Sequence, residues 1–311
     1  MANFSPQPSA DRAARIMLVA LSLAWGVTWP AMKIALDAIP PFSMRAGTCV
    51  LGTIVVFGFA LLQHRKLGIT GRVARAHVLV AGCLNLAAFS LFTAFAQLAT
   101  ATSRVIILTY TMPIWASLMA RPILGERLTG VRVVALILCA GGLAVLIRPL
   151  IGSGAPAGFG FALATAVSWA AGTIYLKWAR INADPIAVTA WQLIVATAVT
   201  GAGLWLVEGR PHLWPVDAFA LAAWIFSGVV GSGVAYLLWF EIVRRFPAIT
   251  ASLGVLSVPV VGIVASVLML GERPTLADCI GFALIFAAAA CVLLAPAARA
   301  STAAPIEPTP R

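Results

Sequence analysis

A charged tripeptide occurs twice in this sequence, each time between two long apolar runs. Gly125-Glu126-Arg127 is followed 146 residues later by Gly271-Glu272-Arg273. Glycine ends helices readily, and charged side chains near a helix end hydrogen-bond to free backbone groups or reach the polar surface of a membrane. Two interpretations stay open: the tripeptides organise turns at helix ends, or they act as a matched pair of gates.

Two prolines share the same separation. Pro113 and Pro259 lie inside apolar runs and are also 146 residues apart. Proline removes one helical hydrogen bond and clashes with the carbonyl group four residues back, here that of Thr109 or Val255, so each is predicted to kink its helix and expose a carbonyl oxygen. Matched interruptions in two halves of a chain are typical of transport sites, which predicts that both prolines are hinges. The alternative is ordinary packing, because proline is common in membrane helices.

Aromatic and polar side chains recur along single faces of the predicted helices. Trp25, Trp29 and Lys33 are spaced four residues apart, and Trp169 and Lys177 repeat this stripe 144 residues later. Deep aromatic side chains stack on aromatic or apolar substrates, while a buried amide binds charged substrate groups. The candidate substrate-binding residues are Trp25, Asn85, Phe89, Tyr110, Trp169, Tyr236 and Trp239, with Gln192 as a second candidate amide. The candidate gate or helix-end residues are Lys33, Glu126, Arg127, Lys177, Glu272 and Arg273. Helix packing is the alternative for each aromatic residue, and a bridge between two helices is the alternative for each amide.

Acidic, histidine and cysteine side chains are placed unfavourably for catalysis. All ten aspartates and glutamates and all three histidines fall at predicted helix ends or in connections. The five cysteines are scattered through apolar runs without a CxxC motif, so neither a disulfide framework nor a metal site is expected. Because no nucleophile is paired with a base, we expect no enzyme activity and no cofactor. The same distribution leaves no proton carrier at the membrane centre; Glu241, near the end of the eighth run, is the acid that a kink would bring towards it.

The elements that carry these residues are apolar helices. The chain of 311 residues is 61% hydrophobic and 10% charged, with a mean hydropathy of +1.00, far outside the range of soluble globular proteins. A helix of about 20 apolar residues crosses the roughly 30 Å hydrocarbon core of a bilayer. The sequence contains ten such runs, approximately at 14–36, 41–62, 74–97, 102–121, 131–149, 157–178, 185–206, 217–240, 248–270 and 276–296. It is therefore predicted to be an all-α integral membrane protein with ten transmembrane helices.

The ten predicted helices form two units of five. A shift of 144 residues places Trp25 on Trp169 and Pro41 on Pro185, and the shift of 146 residues relates the other two prolines and the tripeptides. The predicted organisation is a cytoplasmic N-terminal segment at 1–13, a first repeat at 14–149, a linker at 150–156, a second repeat at 157–296 and a cytoplasmic tail at 297–311. Because five is odd, the second unit must cross the membrane in the opposite sense. Inverted repeats favour alternating access in a secondary transporter; the alternative is a duplication retained only for folding.

Basic residues predict the orientation in the membrane. With the N-terminus inside, 15 of the 21 lysines and arginines fall on the cytoplasmic side, and the outer side receives only Lys33, Arg45, Arg104, Arg148, Arg210 and Arg273. The positive-inside rule therefore predicts that both termini are cytoplasmic. The formal net charge of +11 is attributed to this topology and not to nucleic-acid binding.

Several short motifs resemble one known superfamily. They are Ala24-Trp25-Gly26, its echo Ser168-Trp169-Ala170-Ala171-Gly172, and Leu-Gly-Glu-Arg after the proline-containing fourth and ninth runs. Together with ten helices in two units of five, they resemble the drug/metabolite transporter superfamily in its EamA-type branch, over about residues 14–296. Within that branch the chain looks most similar to the YddG-type exporters of aromatic amino acids. The resemblance implies export across the bacterial inner membrane, with a small-molecule substrate and the lipid bilayer as partners and an oligomeric state that it leaves open.

The sequence thus predicts an inner-membrane exporter of amino acids, with aromatic and other apolar ones favoured, and of related small metabolites. The lack of a central acid favours facilitated diffusion by alternating access. Two alternatives are a proton-coupled exporter of cationic or aromatic drugs and, outside transport, a membrane-embedded enzyme.

Overall fold

The computed structural model describes residues 8–126, 129–150, 156–211, 216–245 and 248–294, and within these ranges the regular structure is helical throughout. The predicted gate residue Arg127 lies outside them. Eight of the described helical spans are long and apolar enough to cross a membrane, and Val255–Leu270 is a shorter apolar helix. Large apolar side chains project from the surface, among them Leu62 and Leu206, which are 81% and 86% exposed. Helices that satisfy their own backbone while exposing apolar side chains are typical of a multi-pass membrane protein.

The first half of the chain contains five crossings. The first, second and fifth crossings are the continuous helices α1 (Pro8–Ala38), α2 (Pro41–Leu62) and α7 (Gly130–Ile147). The third consists of α3 (Arg72–Gly82), a π-helical segment (Cys83–Ala88) and α4 (Phe89–Ala99). The fourth is divided into α5 (Thr102–Thr109) and α6 (Met112–Leu124).

The second half contains five crossings in the same order. They are α8 (Pro156–Ala179), α9 (Pro185–Gly203) with a π-helical end (Leu204–Glu208), α10 (Ala218–Phe226) joined by a π-helical segment (Ser227–Val234) to α11 (Ala235–Arg245), α12 (Ala248–Leu270) and α13 (Leu276–Leu293). The prediction of an all-helical membrane protein with ten crossings in two five-helix repeats is confirmed.

The glycine of each charged tripeptide ends a helix. Gly125 follows α6 with a φ of 70°, and Gly271 follows α12 with a φ of 67°. This left-handed conformation carries no steric penalty for glycine, which explains why both copies of the tripeptide begin with that residue. Both tripeptides therefore lie at helix ends, at equivalent positions of the two repeats.

The matched prolines have different surroundings. Pro113 follows a break in the fourth crossing, where Tyr110 and Thr111 form a turn between α5 and α6. The hydroxyl of Thr111 donates to the carbonyl oxygen of Leu108 over 2.6 Å, a local bond that competes with helix continuation. Here the predicted interruption is present.

Pro259, by contrast, lies inside a helix that runs unbroken from Ala248 to Leu270. The residue equivalent to Thr111 is Ser257, whose hydroxyl shares a hydrogen bond of 2.5 Å with Ser22 on α1. This hydrogen bond connects α12 to α1 two residues before the proline. A break in the helix is present in the first half only, and the expectation that both prolines kink their helices and act as hinges stays a prediction.

Helices of the two halves pack in matched pairs. α2 packs on α9 and α7 packs on α13, while α1 contacts α12 as α8 contacts α6, and α1 contacts α10 as α8 contacts α4. If each crossing is replaced by its equivalent in the other half, the same set of helix pairs results. The interior of the protein is consequently built between the repeats.

Small residues bring the last helix of each repeat into close contact. A Cβ atom added at Gly142 of α7 would lie 2.7 Å from Ile285, and one added at Gly281 of α13 would lie 2.5 Å from Leu146. Glycine is therefore required at both positions for this approach, as is common where membrane helices pack tightly. The α7–α13 contact joins the two halves along one side of the protein.

Candidate functional site

A cavity of about 690 Å³ lies at the centre of the protein, between the two repeats. All seven candidate substrate-binding residues line it: Trp25, Asn85, Phe89, Tyr110, Trp169, Tyr236 and Trp239. The second candidate amide, Gln192, and the proline at the helix break, Pro113, line it as well. Pro259 is buried but is not part of the lining.

The aromatic side chains form two clusters related by the repeat. Trp25 of α1 packs against Tyr236 and Trp239, with ring centroids 5.8 and 6.1 Å apart. Trp169 of α8 packs against Phe89, with centroids 5.0 Å apart. Each cluster joins the first helix of one repeat to the third crossing of the other. The cavity therefore presents aromatic surface from both halves, which suits a substrate with an apolar or aromatic body.

Matched π-helical segments border the cavity in the third and eighth crossings. They begin at Cys83 and Ser227, which are 144 residues apart. A π-helix shifts the backbone hydrogen-bond pattern and is frequent at functional sites. The indole Nε1 of Trp25 donates to the carbonyl oxygen of Gly231 in the second segment over 3.3 Å, which fixes the ring in the cavity wall. The sequence analysis missed both segments; the glycines at 228, 231 and 233 are the only hint of the second.

Asn85 lies in the first π-helical segment and is 8% exposed. Its side-chain oxygen has no hydrogen-bond partner among the residues that the structure describes. Gly172 of α8 permits this arrangement, because a Cβ atom added there would lie 2.8 Å from the Cβ atom of Asn85. A buried acceptor without a partner is costly, so Asn85 is a polar group that the described residues leave unsatisfied beside the cavity.

The sequence analysis assigned a different role to one residue of the cavity wall, Arg45. Arg45 was counted there only among the basic residues of the outer side, yet it lines the cavity and is 4% exposed. The signal that could have identified it is its position four residues inside an apolar run.

The ends of the helices define two faces. The Glu272 face contains the connections 39–40, 100–101 and 271–275, and the Glu126 face contains the connections 63–71 and 180–184 together with Gly125 and Glu126. Ile181 and Ala183, from the connection 180–184, line the cavity, whereas no described residue of the connections 39–40, 100–101 and 271–275 does so. The cavity is therefore open towards the Glu126 face.

The Glu272 face is closed by aromatic packing. The ring of Phe95 lies 5.8 Å from that of Phe42 and 5.5 Å from that of Phe161, and Phe161 also packs against Phe92. These rings come from the second, third and sixth crossings. They form an apolar plug between the cavity and this face.

Carboxylates tie the helix ends together on the Glu272 face. Glu272 accepts hydrogen bonds from the backbone N–H groups of Thr102 and Ser103, at 2.6 and 2.9 Å, and so caps α5 from outside its own helix. Arg104 forms a two-pronged ion pair with Asp278, at 2.6 and 3.0 Å. A carboxylate at a helix N-terminus is favourable because it satisfies free donors and interacts with the helix dipole. Arg273 is exposed.

A second carboxylate closes the same face between α2 and α9. Glu208 accepts from the N–H groups of Phe42 and Ser43, each at 2.8 Å, and from the hydroxyl of Ser43 at 2.6 Å. On the opposite face the same two helices are joined by an ion pair between Arg65 and Asp184, at 3.0 Å. α2 and α9 are therefore connected at both ends.

The Glu126 face has a different set of partners. Glu126 binds Lys177 at 2.5 Å and Arg132 at 3.2 Å. The hydrogen bond from Lys177, with the further bond from Arg132, holds the pKa of the Glu126 carboxyl below its ordinary value. Lys33, the equivalent of Lys177, pairs with Asp37 one helical turn away. The two tripeptides thus occupy equivalent positions and bind unlike partners.

Glu241, the acid that a kink was expected to bring towards the cavity, lies near the end of α11. It forms ion pairs with Arg244, at 2.7 Å, and with Arg245. It is not part of the cavity lining.

Comparisons with known proteins give two matches to one family and several relatives that align with half or more of the chain. The EamA-like transporter family matches residues 12–148 and again residues 156–294. The chain is 24% identical over 272 residues to the uncharacterized transporter YoaV of Bacillus subtilis (strain 168), covering 86% of this chain and 92% of the relative. It is 28% identical over 170 residues to a probable amino-acid metabolite efflux pump of Escherichia coli (strain K12), covering 52% of this chain and 57% of that protein.

The fold is shared with a protein of known crystal structure. The two chains superpose with a TM-score of 0.61 and 25% sequence identity over 91% of this chain and 98% of the other. With one family match on each half of a ten-helix membrane fold, this chain belongs to the EamA-like transporter family.

Proposed function

We propose that this protein exports small organic molecules across the bacterial inner membrane by alternating access, and that amino acids with aromatic or other apolar side chains are among its substrates. The observation that carries the proposal is the central cavity, which is walled by aromatic side chains from both repeats and, among the described residues, extends to the connections of the Glu126 face and not to those of the Glu272 face. A cavity at the interface of two repeats is where secondary transporters hold their substrates. The name of the Escherichia coli relative, a probable amino-acid metabolite efflux pump, supports the substrate class.

The repeats are proposed to be inverted and to move against one another. The helix pairs are preserved when the two halves are exchanged, which supports a pseudo-two-fold axis between them. Five crossings in each half place equivalent helix ends on opposite faces. In the alternate state, the Glu126 face would be closed and the Glu272 face open. The first half would then have the contacts that the second half has now, and the second half those of the first.

Glu126 and Glu272 are proposed to alternate as closing carboxylates. Glu272 now caps the start of α5 at Thr102 and Ser103. A shift of 146 residues converts this contact into one between Glu126 and the start of α12 at Ala248. Glu126 is instead held by Lys177 at 2.5 Å, as expected when its face is open. In the alternate state Glu126 moves to the start of α12, and Glu272 is released.

The Glu126 face is proposed to be cytoplasmic, so that the open cavity accepts its substrate from inside the cell. The connection 63–71 on this face contains Arg65 and Lys66, and Arg72 and Arg75 begin the next helix. Such a concentration of basic residues is typical of the cytoplasmic side. A cysteine introduced at Gly68 should resist an impermeant thiol reagent in intact cells and react after permeabilisation. Efficient labelling in intact cells would reverse the assignment.

Net movement is proposed to follow the substrate's own gradient. Among the residues that the structure describes, the carboxylates of Glu126, Asp184, Glu208, Glu272 and Asp278 are all engaged at helix ends. A zwitterionic amino acid carries no net charge and is expected to be nearly indifferent to the membrane potential. Proteoliposomes with equal phenylalanine concentrations on both sides should show no accumulation under an imposed pH gradient. Sustained accumulation would show proton coupling, and Glu241→Gln would be the first variant to make.

Transport in proteoliposomes tests the proposal. Purified protein should exchange labelled phenylalanine faster than protein-free liposomes do, and a panel of aliphatic amino acids and aromatic cations run in parallel defines the range of substrates. Trp169→Ala is expected to weaken the apparent affinity for phenylalanine about two- to tenfold, because stacking contributes about 0.5–1.5 kcal/mol. Trp205→Ala is the matched control, since this tryptophan is 66% exposed on the outer surface. A panel in which no amino acid moves above background would overturn the proposed substrate class.

A further inference from the structure

A buried cation lies at the closed end of the cavity. Arg45 is in the second turn of α2, next to the Glu272 face, and its side chain shares the cavity wall with Thr28, Met32 and Cys49. The residue is 4% exposed. The open end of the cavity, by contrast, is formed by residues near the Glu126 face. A molecule that enters from the open end therefore meets the guanidinium last.

The hydrogen-bonding capacity of Arg45 is mostly unused. Nη1 donates to the sulfur atom of Met32 over 2.9 Å, and thioether sulfur is a weak acceptor. Nε and Nη2 are buried and have no partner among the residues that the structure describes. A guanidinium presents five N–H donors in a planar fork, so most of its hydrogen-bonding capacity is not satisfied by the described residues.

The positive charge of Arg45 is also uncompensated by the described part of the chain. Every carboxylate whose side chain the structure describes binds another cation or caps a helix; these are Asp37, Glu126, Asp184, Glu208, Asp217, Glu241, Glu272 and Asp278. A charge buried in a membrane protein without a partner is strongly unfavourable, and such residues mark substrate or ion pathways. The charge of Arg45 is thus expected to serve the cavity and not the packing of the helices.

The second repeat shows that the fold does not require an arginine at this position. A shift of 144 residues, which places Pro41 on Pro185, also places Arg45 on Thr189. Thr189 is buried in α9 and lines the same cavity. The equivalent packing site is therefore filled by a small neutral residue in one half, and a cation is present in the other half only.

We propose that Arg45 binds the carboxylate of the substrate at the closed end of the cavity, and that the transported molecules are carboxylates with an apolar or aromatic body. Guanidinium and carboxylate match in geometry and form paired, charge-assisted hydrogen bonds. The aromatic clusters provide the surface for the body, and the free side-chain oxygen of Asn85 accepts a donor such as the ammonium of an amino acid. This inference rests on the proposed transport function and identifies the chemical group that the cavity selects.

The inference excludes one of the substrate classes considered from the sequence. An unpaired cation in the binding site repels a cationic substrate and leaves the guanidinium without an acceptor. Amines that lack a carboxylate are therefore expected to bind poorly, although their aromatic rings fit the same surface. Selection by a buried polar group is strong because the wrong ligand leaves that group unpaired.

Three probes with the same phenyl body separate the contributions. Phenylalanine carries carboxylate and ammonium, 3-phenylpropionate carries only the carboxylate, and phenethylamine carries only the ammonium. Full-length protein in detergent at neutral pH should bind the two carboxylates at least about tenfold more tightly than phenethylamine, measured by tryptophan fluorescence. Arg45→Met should weaken both carboxylates about ten- to hundredfold without weakening phenethylamine. Arg45→Lys, which keeps the charge and loses the planar fork, should recover part of the preference.

Control measurements separate this role from a structural one. Arg72→Met, at an exposed arginine that begins α3, should bind all three probes as the parent does. Because Arg45→Met removes an unpaired buried charge, it should melt at the same temperature as the parent or higher in the absence of ligand. A lower melting temperature with equal weakening of all three probes would show that Arg45 only supports the fold, and would overturn the inference.

The outcomes also distinguish this inference from the proposed function. If Arg45→Met keeps the preference for carboxylates while phenylalanine is transported, only the role of Arg45 is overturned. If 3-phenylpropionate binds in an Arg45-dependent way but no amino acid is transported, only the proposed substrate class is overturned. If the parent protein binds neither carboxylate, the inference about Arg45 is wrong.

Discussion

The two faces of the protein carry the same tripeptide and use it differently. On the Glu272 face, the glutamate caps the start of α5 at a distance of 170 residues in sequence. On the Glu126 face, the glutamate binds Lys177 and Arg132. The cavity is closed on the first face and open on the second. The proposed alternating access predicts such a difference. In any one state, one of the two equivalent glutamates makes the closing contact and the other is held by a different partner.

The helices that follow the tripeptides differ in charge at one equivalent position. Thr129 and Thr275 both cap the next helix, but the third residue of that helix is Arg132 in one case and Asp278 in the other. Asp278 completes a capping box and binds Arg104, so it locks its face, whereas Arg132 binds Glu126. The equivalent helices are therefore capped alike by threonine and differ in the charge of the residue that makes the closing contact.

Breaking the Arg104–Asp278 pair is expected to have the largest effect. Asp278→Asn leaves Arg104, which is 22% exposed, without its charge partner and should lower the free energy of unfolding by about 3 kcal/mol. Lys177→Gln on the other face removes a pair whose lysine is 62% exposed and should cost less than about 1 kcal/mol. Denaturant titrations of both variants in mixed micelles give the two values. Equal losses would show that the faces do not differ in strength.

Neutralising the two glutamates should shift the protein in opposite directions. Glu272→Gln weakens the cap on α5 and should favour opening of the Glu272 face by about 1.5–3 kcal/mol, or roughly ten- to hundredfold. Glu126→Gln should favour the present state, because it removes the closing carboxylate of the alternate one. The measurement is the labelling rate of Phe161→Cys, in the aromatic plug, in a background without native cysteines. Shifts of the same sign in both variants would contradict a shared gate.

Replacing the two prolines should affect transport to different extents, because their surroundings differ. Pro113→Ala restores a backbone donor next to the turn at Tyr110 and should extend α6 backwards, lowering phenylalanine exchange about tenfold. Pro259→Ala changes a helix that is already continuous and should reduce exchange less than about threefold. Both rates are compared with the amount of folded protein. Two variants that exchange phenylalanine at the parental rate would make the prolines ordinary packing residues.

Acidification should have the smallest effect, and on one face only. Because the pKa of Glu126 is lowered in the present state, its ion pairs stabilise this state fully above the ordinary glutamate pKa of about 4.3, and they are lost as the pH falls below that value. An exposed pair contributes less than about 1 kcal/mol, so loss of the Glu126 ion pairs should lower the free energy of unfolding by less than that amount between pH 7 and pH 4, measured by denaturant titration. Glu126→Gln should remove this part of the pH dependence, and an undiminished pH dependence in the variant would assign it to another group.

Sequence reasoning located the helices and the aromatic cavity residues well, for physical reasons. A membrane requires long apolar runs, and tryptophans in the middle of such runs are conspicuous in duplicate, as Trp25 and Trp169 are. The π-helical segments were missed because a shifted hydrogen-bond pattern leaves little trace in composition. Arg45 was assigned to topology because its burial depends on helices that pack against α2.

The sequence also could not predict that the helix is broken before Pro113 and continuous at Pro259. Pro113 and Pro259 each follow a hydroxyl residue by two positions, but the hydroxyl of Thr111 donates to Leu108 in its own crossing, while that of Ser257 shares a hydrogen bond with Ser22 of α1. The partners of Glu272 likewise lie 169 and 170 residues away in sequence. Local pattern shows that such residues are at helix ends and does not show what they contact.

The close contact at Gly142 and Gly281 has a consequence for assembly. It joins the last helix of one repeat to the last helix of the other, and the remaining large contacts between repeats, such as α1 with α12 and α2 with α9, also lie within helices. Two polypeptides synthesised separately, one ending after α7 and the other beginning at α8, would therefore carry all of these complementary surfaces. In that respect the two repeats resemble subunits joined in one chain, and the glycine contact is one part of the interface between them.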